Sequence, residues 1–145
     1  MRKKYYFILF FYLFSFYNIA SEDNQKKKHA QNNIILFDFN STHLKQNYQN
    51  NIDEIFSKIP QKHLSQLNIK IYGHTDPSGD DQYNIELAYL RAKNVAQFLI
   101  KNYNIPSSSL YVISKGEEEL IIDEDHIIDN EKSRRVEIKI EKKIF

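Results

Sequence analysis

One stretch of this sequence, residues 69–106, predicts a strand, a tight turn and a long helix in direct succession. Apolar and polar residues alternate up to Gly73, which is typical of a strand with one buried face. A turn follows at Pro77-Ser78-Gly79, and Asp80 or Asp81 can cap the helix after it. The helix carries apolar residues at helical spacing, widened by three larger side chains: Ile85, Ala88, Ala92, Val95, Ala96 and Leu99, with Leu87, Leu90 and Phe98. It is expected to end at Asn102, Asn104 and Pro106.

Shorter elements flank this strand–loop–helix unit on both sides. Residues 34–39 predict a first strand, after which Ser41 or Thr42 can cap a helix. That helix ends before Pro60 and carries an apolar stripe: Leu44, Tyr48, Ile52, Ile55, Phe56 and Ile59. Residues 110–113 predict a third strand, and residues 117–132 an exposed acidic loop. The last strand has one buried face formed by Val136, Ile138 and Ile140.

The order of these elements is strand, helix, strand, helix, strand, strand. A helix between two strands implies a parallel crossover, whereas the final pair of strands can be antiparallel. The pattern therefore predicts an α+β protein, a small α/β sandwich, in which two main helices pack on a mixed parallel and antiparallel sheet.

The first 32 residues differ in character from the rest. Arg2-Lys3-Lys4 precedes an apolar run over residues 5–17 and the small residues Ala20-Ser21, which is the layout of a secretory signal peptide. The run is shorter than the roughly 20 apolar residues of a membrane span, although Asn18 near the cleavage point leaves an uncleaved anchor open. We expect a signal peptide over residues 1–20, a polar flexible leader over 21–32 and one domain over 33–145.

Composition excludes several function classes. The chain contains no cysteine, so a thiol nucleophile and a Cys-ligated zinc site are ruled out. A formal net charge of +1 offers no electrostatic case for nucleic acid. His74 lies close to Asp76, but the sequence has no HExxH motif and no Gly-x-Ser-x-Gly elbow around Ser78 or any other serine. No metal, cofactor or catalytic residue is predicted.

Asp76 and Arg91 are the charges most suited to bind a ligand. Asp76 follows the strand end, and Arg91 lies about two turns into the long helix, so a rigid unit holds the two opposite charges apart. A carboxylate can take an ammonium, and a guanidinium can take a carboxylate in bidentate fashion, so the pair suits a zwitterion. Taken singly, an Asp after a strand is more often a turn residue, and an Arg on a helix is usually a solvated charge.

Four motifs in order carry a family resemblance over about residues 33–141. They are Leu36-Phe37-Asp38-Phe39-Asn40, then Gly73-His74-Thr75-Asp76 with Gly79, Tyr83-Asn84, Leu87, Arg91-Ala92 and Val95, then Ser114-Lys115-Gly116-Glu117, and Arg134-Arg135-Val136-Glu137. Together they resemble the OmpA-like peptidoglycan-binding domain, and within that family the peptidoglycan-associated lipoproteins. The sequence departs from those lipoproteins in having no cysteine to carry an acyl anchor.

The resemblance implies a ligand and a set of residues around it. Asp76 and Arg91 match the pair that holds the ammonium and carboxylate of meso-diaminopimelate in the peptidoglycan stem. The other matching positions around the pocket are Phe37, Asp38, Asn84, Leu87, Arg134 and Arg135, and Thr75 has a hydroxyl suited to peptide amides. Because Arg134 and Arg135 are neighbours on a strand, one of them is expected to face outward.

The leading hypothesis is a non-enzymatic protein that is exported to the periplasm and ties the cell wall to the outer membrane or another part of the envelope. Membrane association would be indirect or through the N-terminal anchor. One alternative is a scaffold that acts mainly through protein partners, such as a Tol-type complex. The other is a cell-wall hydrolase, for which the sequence shows no nucleophile.

Overall fold

The computed structural model describes residues 33–143, which form a four-stranded sheet with helices packed against it. The strands are β1 (Ile34–Leu36), β2 (Leu67–Gly73), β3 (Leu110–Ser114) and β4 (Arg135–Lys142). The helices are α1 (Gln46–Phe56), α2 (Gln61–Leu64), α3 (Asp81–Tyr103) and α4 (Asn130–Ser133), with a 3-10 turn at Ser107–Ser109. The predicted signal peptide and leader lie outside the described residues. Within residues 33–143, no helix is long and apolar enough to cross a membrane.

The sheet is mixed, and its strand order is β1-β4-β2-β3. β2 and β3 are parallel and joined through α3, whereas β4 is antiparallel to both β1 and β2. This arrangement confirms the predicted α+β class and the parallel crossover. The last strand does not pair with β3, because the segment between β3 and β4 carries the chain across β2 to the gap beside β1.

The core lies between one face of the sheet and the two main helices. In β2, Ile69 and Ile71 are fully buried and alternate with half-buried polar residues. The helices contribute Ile52 and Phe56 from α1 and a row of small and aliphatic residues from α3: Ala88, Ala92, Val95, Ala96 and Leu99. Ile85 was predicted in this row, but it is 48% exposed because it lies at the side of α3 next to Gly116.

Gly73 marks the closest approach of the sheet to α3. A Cβ atom at this position would lie 1.9 Å from the carbonyl oxygen of Ala88, so no other residue type fits without movement of the backbone. The small side chains of Ala88 and Ala92 allow α3 to lie this close to the strand. The end of β2 and the first half of α3 are therefore in direct backbone contact.

The helix ends follow the prediction for α3 but not for α1. The Asp80 carboxylate accepts a hydrogen bond from the Tyr83 N–H at 2.9 Å, and Asn104 ends α3 in the left-handed conformation. By contrast, α1 begins after Lys45, without a side-chain cap. Ser41 and Thr42 belong instead to a loop that packs on α3, where the Thr42 carbonyl accepts from Asn94 Nδ2 at 2.9 Å.

The acidic segment between β3 and β4 is mostly irregular and exposed, as predicted. It contains one bridge, between Ile122 and Ile128, and the short helix α4, which the sequence analysis missed. Asp129 caps α4 by accepting from the Lys132 N–H at 3.0 Å. This segment returns the chain to the start of β4, where Arg134 and Arg135 lie.

Candidate functional site

A cavity of about 170 Å³ lies where the end of β2, the start of α3 and the residue preceding β4 meet. Six of the nine predicted site residues line it: Thr75, Asp76, Asn84, Leu87, Arg91 and Arg134. The remaining lining residues are Phe39, Asn40, Ser78, Gly79 and Tyr83. The cavity therefore brings together residues that are up to 95 positions apart in the chain, from Phe39 to Arg134.

Asp76 is a buried carboxylate with two partners. Its Oδ2 accepts from Arg134 Nη1 at 2.9 Å, and its Oδ1 accepts from the Ser78 N–H at 3.0 Å. Burial alone would raise the pKa of the Asp76 carboxyl, but the hydrogen bonds from Arg134 and Ser78 outweigh it and lower the pKa below its usual value. The group is thus ionised at neutral pH, and it keeps lone pairs free for a further donor.

Arg91 is fully buried and bonded to three backbone carbonyls. Its Nε donates to Ser41 at 2.8 Å, its Nη1 to His74 at 2.9 Å and its Nη2 to Asp38 at 3.1 Å. Burial lowers the pKa of the guanidinium to about 10, and the nearby Asp76 carboxylate opposes this shift. Arg91 therefore carries a full positive charge at neutral pH. A guanidinium has five N–H donors, so these bonds leave two for a ligand.

Two further polar side chains border the space between the charges. Asn84, on the first turns of α3, donates from Nδ2 to Glu117 Oε2 at 2.6 Å, so its amide is held in one orientation. The buried Thr75 hydroxyl has no hydrogen-bond partner among residues 33–143. A buried polar group without a partner is costly, and this hydroxyl is available to a polar ligand atom.

Three predicted residues do not line the cavity. Phe37 lies in the core, and its ring centroid is 5.4 Å from the Arg91 guanidinium carbon. The Asp38 side chain is exposed and pairs with Lys45 at 2.6 Å, so only its backbone carbonyl reaches Arg91. Arg135 donates to Glu137 Oε1 at 2.7 Å. Phe37 and Asp38 therefore contact Arg91 without lining the cavity.

The expectation that one arginine of the adjacent pair faces outward is wrong. Arg134 points to Asp76, and Arg135, on the opposite side of the strand, is only 4% exposed. The segment that follows β3 covers Arg135, and the Glu119 carbonyl accepts from its Nη1 at 3.1 Å. A strand alternation rule predicts two directions for neighbouring side chains, but it does not predict that a loop covers the second one.

The sequence analysis did not assign five of the lining residues to the site. Phe39 is 66% exposed at the rim, and the Tyr83 hydroxyl donates to the Asn40 side chain. Asn40 and Gly79 have positive φ angles of 51° and 102°, which mark the two sharp turns that border the cavity. The Pro-Ser-Gly turn was the signal for Ser78 and Gly79, whereas Phe39 was placed in the predicted first strand, which ends at Leu36 in the structure.

His74 faces away from the cavity toward Arg135 and Glu137. Its side chain is buried, and burial together with the Arg135 charge lowers the pKa of the imidazole to about 4, so the ring is neutral at neutral pH. Its nearest carboxylate, Glu137 Oε1, is 3.9 Å from Nε2. Among the residues that the structure describes, no group of three or more His, Asp or Glu side chains is arranged to hold a metal ion.

The chain resembles known proteins at the levels of family and sequence. A sequence profile of the OmpA family matches residues 36–134. The chain is 28% identical over 97 residues to outer membrane protein A of Serratia marcescens, and the match covers 67% of this chain and 27% of that protein. It is 31% identical over 93 residues to outer membrane protein A of Salmonella typhi, covering 64% of this chain and 26% of that protein. The match thus spans about a quarter of the length of these relatives.

Solved structures with the same fold include domains from several cell-envelope proteins. The peptidoglycan-associated lipoprotein of Burkholderia pseudomallei has a TM-score of 0.63 and 24% identity, covering 75% of this chain and 90% of that one. The C-terminal domain of Helicobacter pylori MotB has a TM-score of 0.59 and 27% identity, covering 76% and 84%. An outer membrane protein of Borrelia burgdorferi has a TM-score of 0.55 and 28% identity, covering 72% and 81%.

Proposed function

This chain belongs to the OmpA family, and on that premise we propose that it binds peptidoglycan noncovalently and catalyses no reaction. The ligand group would be the diaminopimelate of the stem peptide. By holding this group, the domain would tie the cell wall to the outer membrane or another part of the envelope.

The observation that carries this proposal is the pair of opposite charges on one cavity. Asp76 and Arg91 both line it, both are ionised at neutral pH, and each keeps hydrogen-bonding capacity for a ligand. The free end of diaminopimelate carries an ammonium and a carboxylate, which match a carboxylate and a guanidinium respectively. Thr75 and Asn84 would contact the amide groups of the stem.

Arg134 has a supporting role in this arrangement. Its bond to Asp76 Oδ2 fixes the carboxylate in place and keeps it ionised before any ligand arrives. A carboxylate has about four lone-pair sites, of which Arg134 and the Ser78 N–H occupy two. A ligand ammonium can therefore join this cluster without displacing Arg134.

The relatives support the ligand class. The Burkholderia neighbour is named for its association with peptidoglycan, and the curated relatives are named as outer membrane proteins. The residue assignments rest on the cavity itself, since Asp76, Arg91 and Arg134 meet there.

We expect the domain to prefer stem peptides with meso-diaminopimelate over those with lysine. Lysine supplies the ammonium but lacks the second carboxylate, so Arg91 would lose its ligand partner. An unpaired group costs about 1–3 kcal/mol, and more when it is charged, so the lysine peptide should bind roughly tenfold more weakly or worse. Isothermal titration calorimetry with the two tripeptides measures this difference.

The variant Asp76→Asn is the control for this experiment. Both peptides carry the ammonium, so loss of the Asp76 charge should weaken both. Equal affinity of the unchanged protein for the two peptides would contradict the assignment of Arg91.

Co-sedimentation with purified sacculi separates wall binding from a scaffold that acts through protein partners, which would stay in the supernatant. Release of muropeptides from the sacculi would instead indicate a hydrolase.

The proposed location is the periplasm, in association with the cell wall and the outer membrane. This rests on the basic and apolar start of the chain and on the envelope proteins among its relatives. We expect the N-terminus of the exported protein to lie near Ser21. We also expect the protein to partition into the aqueous phase and not into the detergent phase. Mass spectrometry of the protein isolated from cells measures its N-terminus. An intact segment over residues 2–20 in the detergent phase would contradict cleavage and indicate an uncleaved anchor.

A further inference from the structure

A second, larger groove lies next to the cavity that contains Asp76 and Arg91. It has a volume of about 640 Å³ and runs between the loop after β1, the first turn of α1 and the middle of α3. Its lining residues are Asn40, Ser41, Thr42, His43, Leu44, Gln49, Asn94, Gln97 and Phe98. Asn40 lines both spaces, so the groove and the charged cavity share a wall.

The two spaces differ sharply in charge. Although 27% of the residues in this chain are Asp, Glu, Lys or Arg, none of the nine residues that line the groove is one of them. Three of the residues that line the cavity are charged, namely Asp76, Arg91 and Arg134. The groove offers amide and hydroxyl groups together with the ring of Phe98. This chemistry suits a neutral ligand with many hydroxyl and amide groups and one apolar face.

Two hydrogen bonds from side-chain amides to backbone carbonyls hold the groove in shape. Asn94 Nδ2 donates to the Thr42 carbonyl at 2.9 Å, and Gln49 Nε2 donates to the Leu44 carbonyl at 3.0 Å. Each of these amides keeps its oxygen and one N–H for a ligand. The exposed amide of Gln97 lies on α3 one turn beyond Asn94. A ligand would therefore meet a preformed wall and would not have to order the loop itself.

We infer that this groove binds the glycan strand of peptidoglycan, by contact with its N-acetylated sugars. The inference rests on the proposed function, because the stem peptide held by Asp76 and Arg91 is attached to that strand. Two or three stem residues in extended form span about 7–10 Å, which suits adjacent spaces that share the Asn40 wall. N-acetyl sugars are neutral and bear hydroxyls, an amide and an apolar ring face, as the lining requires.

The test uses a sugar probe that contains no peptide. A β-1,4-linked tetramer of N-acetylglucosamine is titrated into ¹⁵N-labelled protein as isolated from cells, and backbone amide shifts are followed by NMR. Shift changes are expected at Thr42, Asn94 and Gln97. The variant Gln97→Arg removes a side-chain amide that is expected to contact the sugar, and it places a charged side chain in the groove. It should weaken binding of the tetramer by roughly fivefold or more, which corresponds to the loss of about one hydrogen bond. The matched control Gln66→Arg adds the same charge at an exposed amide outside the groove and should bind the tetramer normally.

Separate titrations with the stem tripeptide distinguish this inference from the proposed function. If the tripeptide binds but the tetramer causes no shifts in the groove, the glycan site is overturned while stem binding stands. If the tetramer binds in the groove and the tripeptide does not bind, the glycan site stands and the stem assignment falls. Equal weakening of the tetramer by Gln97→Arg and Gln66→Arg also overturns the inference, because the effect would then come from charge alone.

Discussion

Replacement of Arg91 by alanine is expected to abolish retention on sacculi and to lower the free energy of unfolding by about 2 kcal/mol or more, since each carbonyl left unpaired away from water costs about 1–3 kcal/mol. The carbonyls of Ser41 and His74 would lose their donor, whereas the Asp38 carbonyl would keep the Ser41 N–H at 3.2 Å. The loss of a hydrogen-bonded ligand charge typically weakens binding by about 2–5 kcal/mol, which is roughly 30-fold or more. Urea denaturation and co-sedimentation with sacculi measure the two effects separately.

Two further variants test whether these effects have different origins. Arg91→Lys keeps the charge but lacks the planar fork, so it should recover neither the three carbonyl bonds nor the full binding. Asp76→Asn keeps an oxygen that can accept from the Ser78 N–H, so it should lose binding with a smaller loss of stability. Unchanged stability of Arg91→Ala would show that the carbonyl bonds contribute little. Unchanged retention on sacculi would remove Arg91 from the ligand site.

Replacement of Gly73 by alanine is expected to destabilise the domain by about 3 kcal/mol or more, at the upper end of the range for overpacking. The added Cβ would lie 1.9 Å from the Ala88 oxygen and 2.7 Å from the Ala88 carbonyl carbon. Both are backbone atoms, so the clash cannot be relieved by a side-chain rotation, and either β2 or α3 must move. The midpoint of urea denaturation measures the change.

A matched control lies on the same strand. Asn68 is on the opposite face of β2 and is half-buried, so Asn68→Ala should change the free energy of unfolding by no more than about 1 kcal/mol. If Gly73→Ala and Asn68→Ala gave the same small change, the close contact between β2 and α3 would not be needed for stability.

The sequence predicts the strand–loop–helix unit well because its signals are local. Alternation in β2, the cap at Asp80 and the apolar row on α3 all act within a few residues of one another. The start of α1 was predicted wrongly because Ser41 and Thr42 are held by Arg91 and Asn94, about 50 residues away. A capping residue type is a weak signal when a distant side chain competes for the same segment.

The strand order illustrates the same limit. Alternation of Val136, Ile138 and Ile140 predicts a strand with one buried face, but it does not select the neighbours of that strand. The structure places β4 between β1 and β2, where Ile138 lies opposite Ile71. This position follows from the length and path of the preceding segment, and those depend on contacts that no local pattern encodes.

The charges of the candidate site and part of its lining were predicted, but the contacts between its residues were not. The sequence, with the family resemblance, indicated Asp76 and Arg91, and the structure places both on one cavity. The bond from Arg134 to Asp76 joins positions 58 residues apart, so no spacing rule could indicate it. The contact between the Phe37 ring and the Arg91 guanidinium was not predicted either, since the sequence pattern around Phe37 does not indicate which side chain packs on its ring.

The contact between Gly73 and Ala88 also determines what kind of ligand the cavity can select. Asp76 follows Gly73 by three residues, and Arg91 follows Ala88 by three residues, about one helical turn. Because the two backbones touch at Gly73 and Ala88, the spacing between the two charges is a property of the scaffold and not of the lining side chains. If the cavity binds a zwitterion as proposed, a substitution at the rim, such as at Phe39, would alter the ligand preference of this chain but would leave the distance between the two charges unchanged.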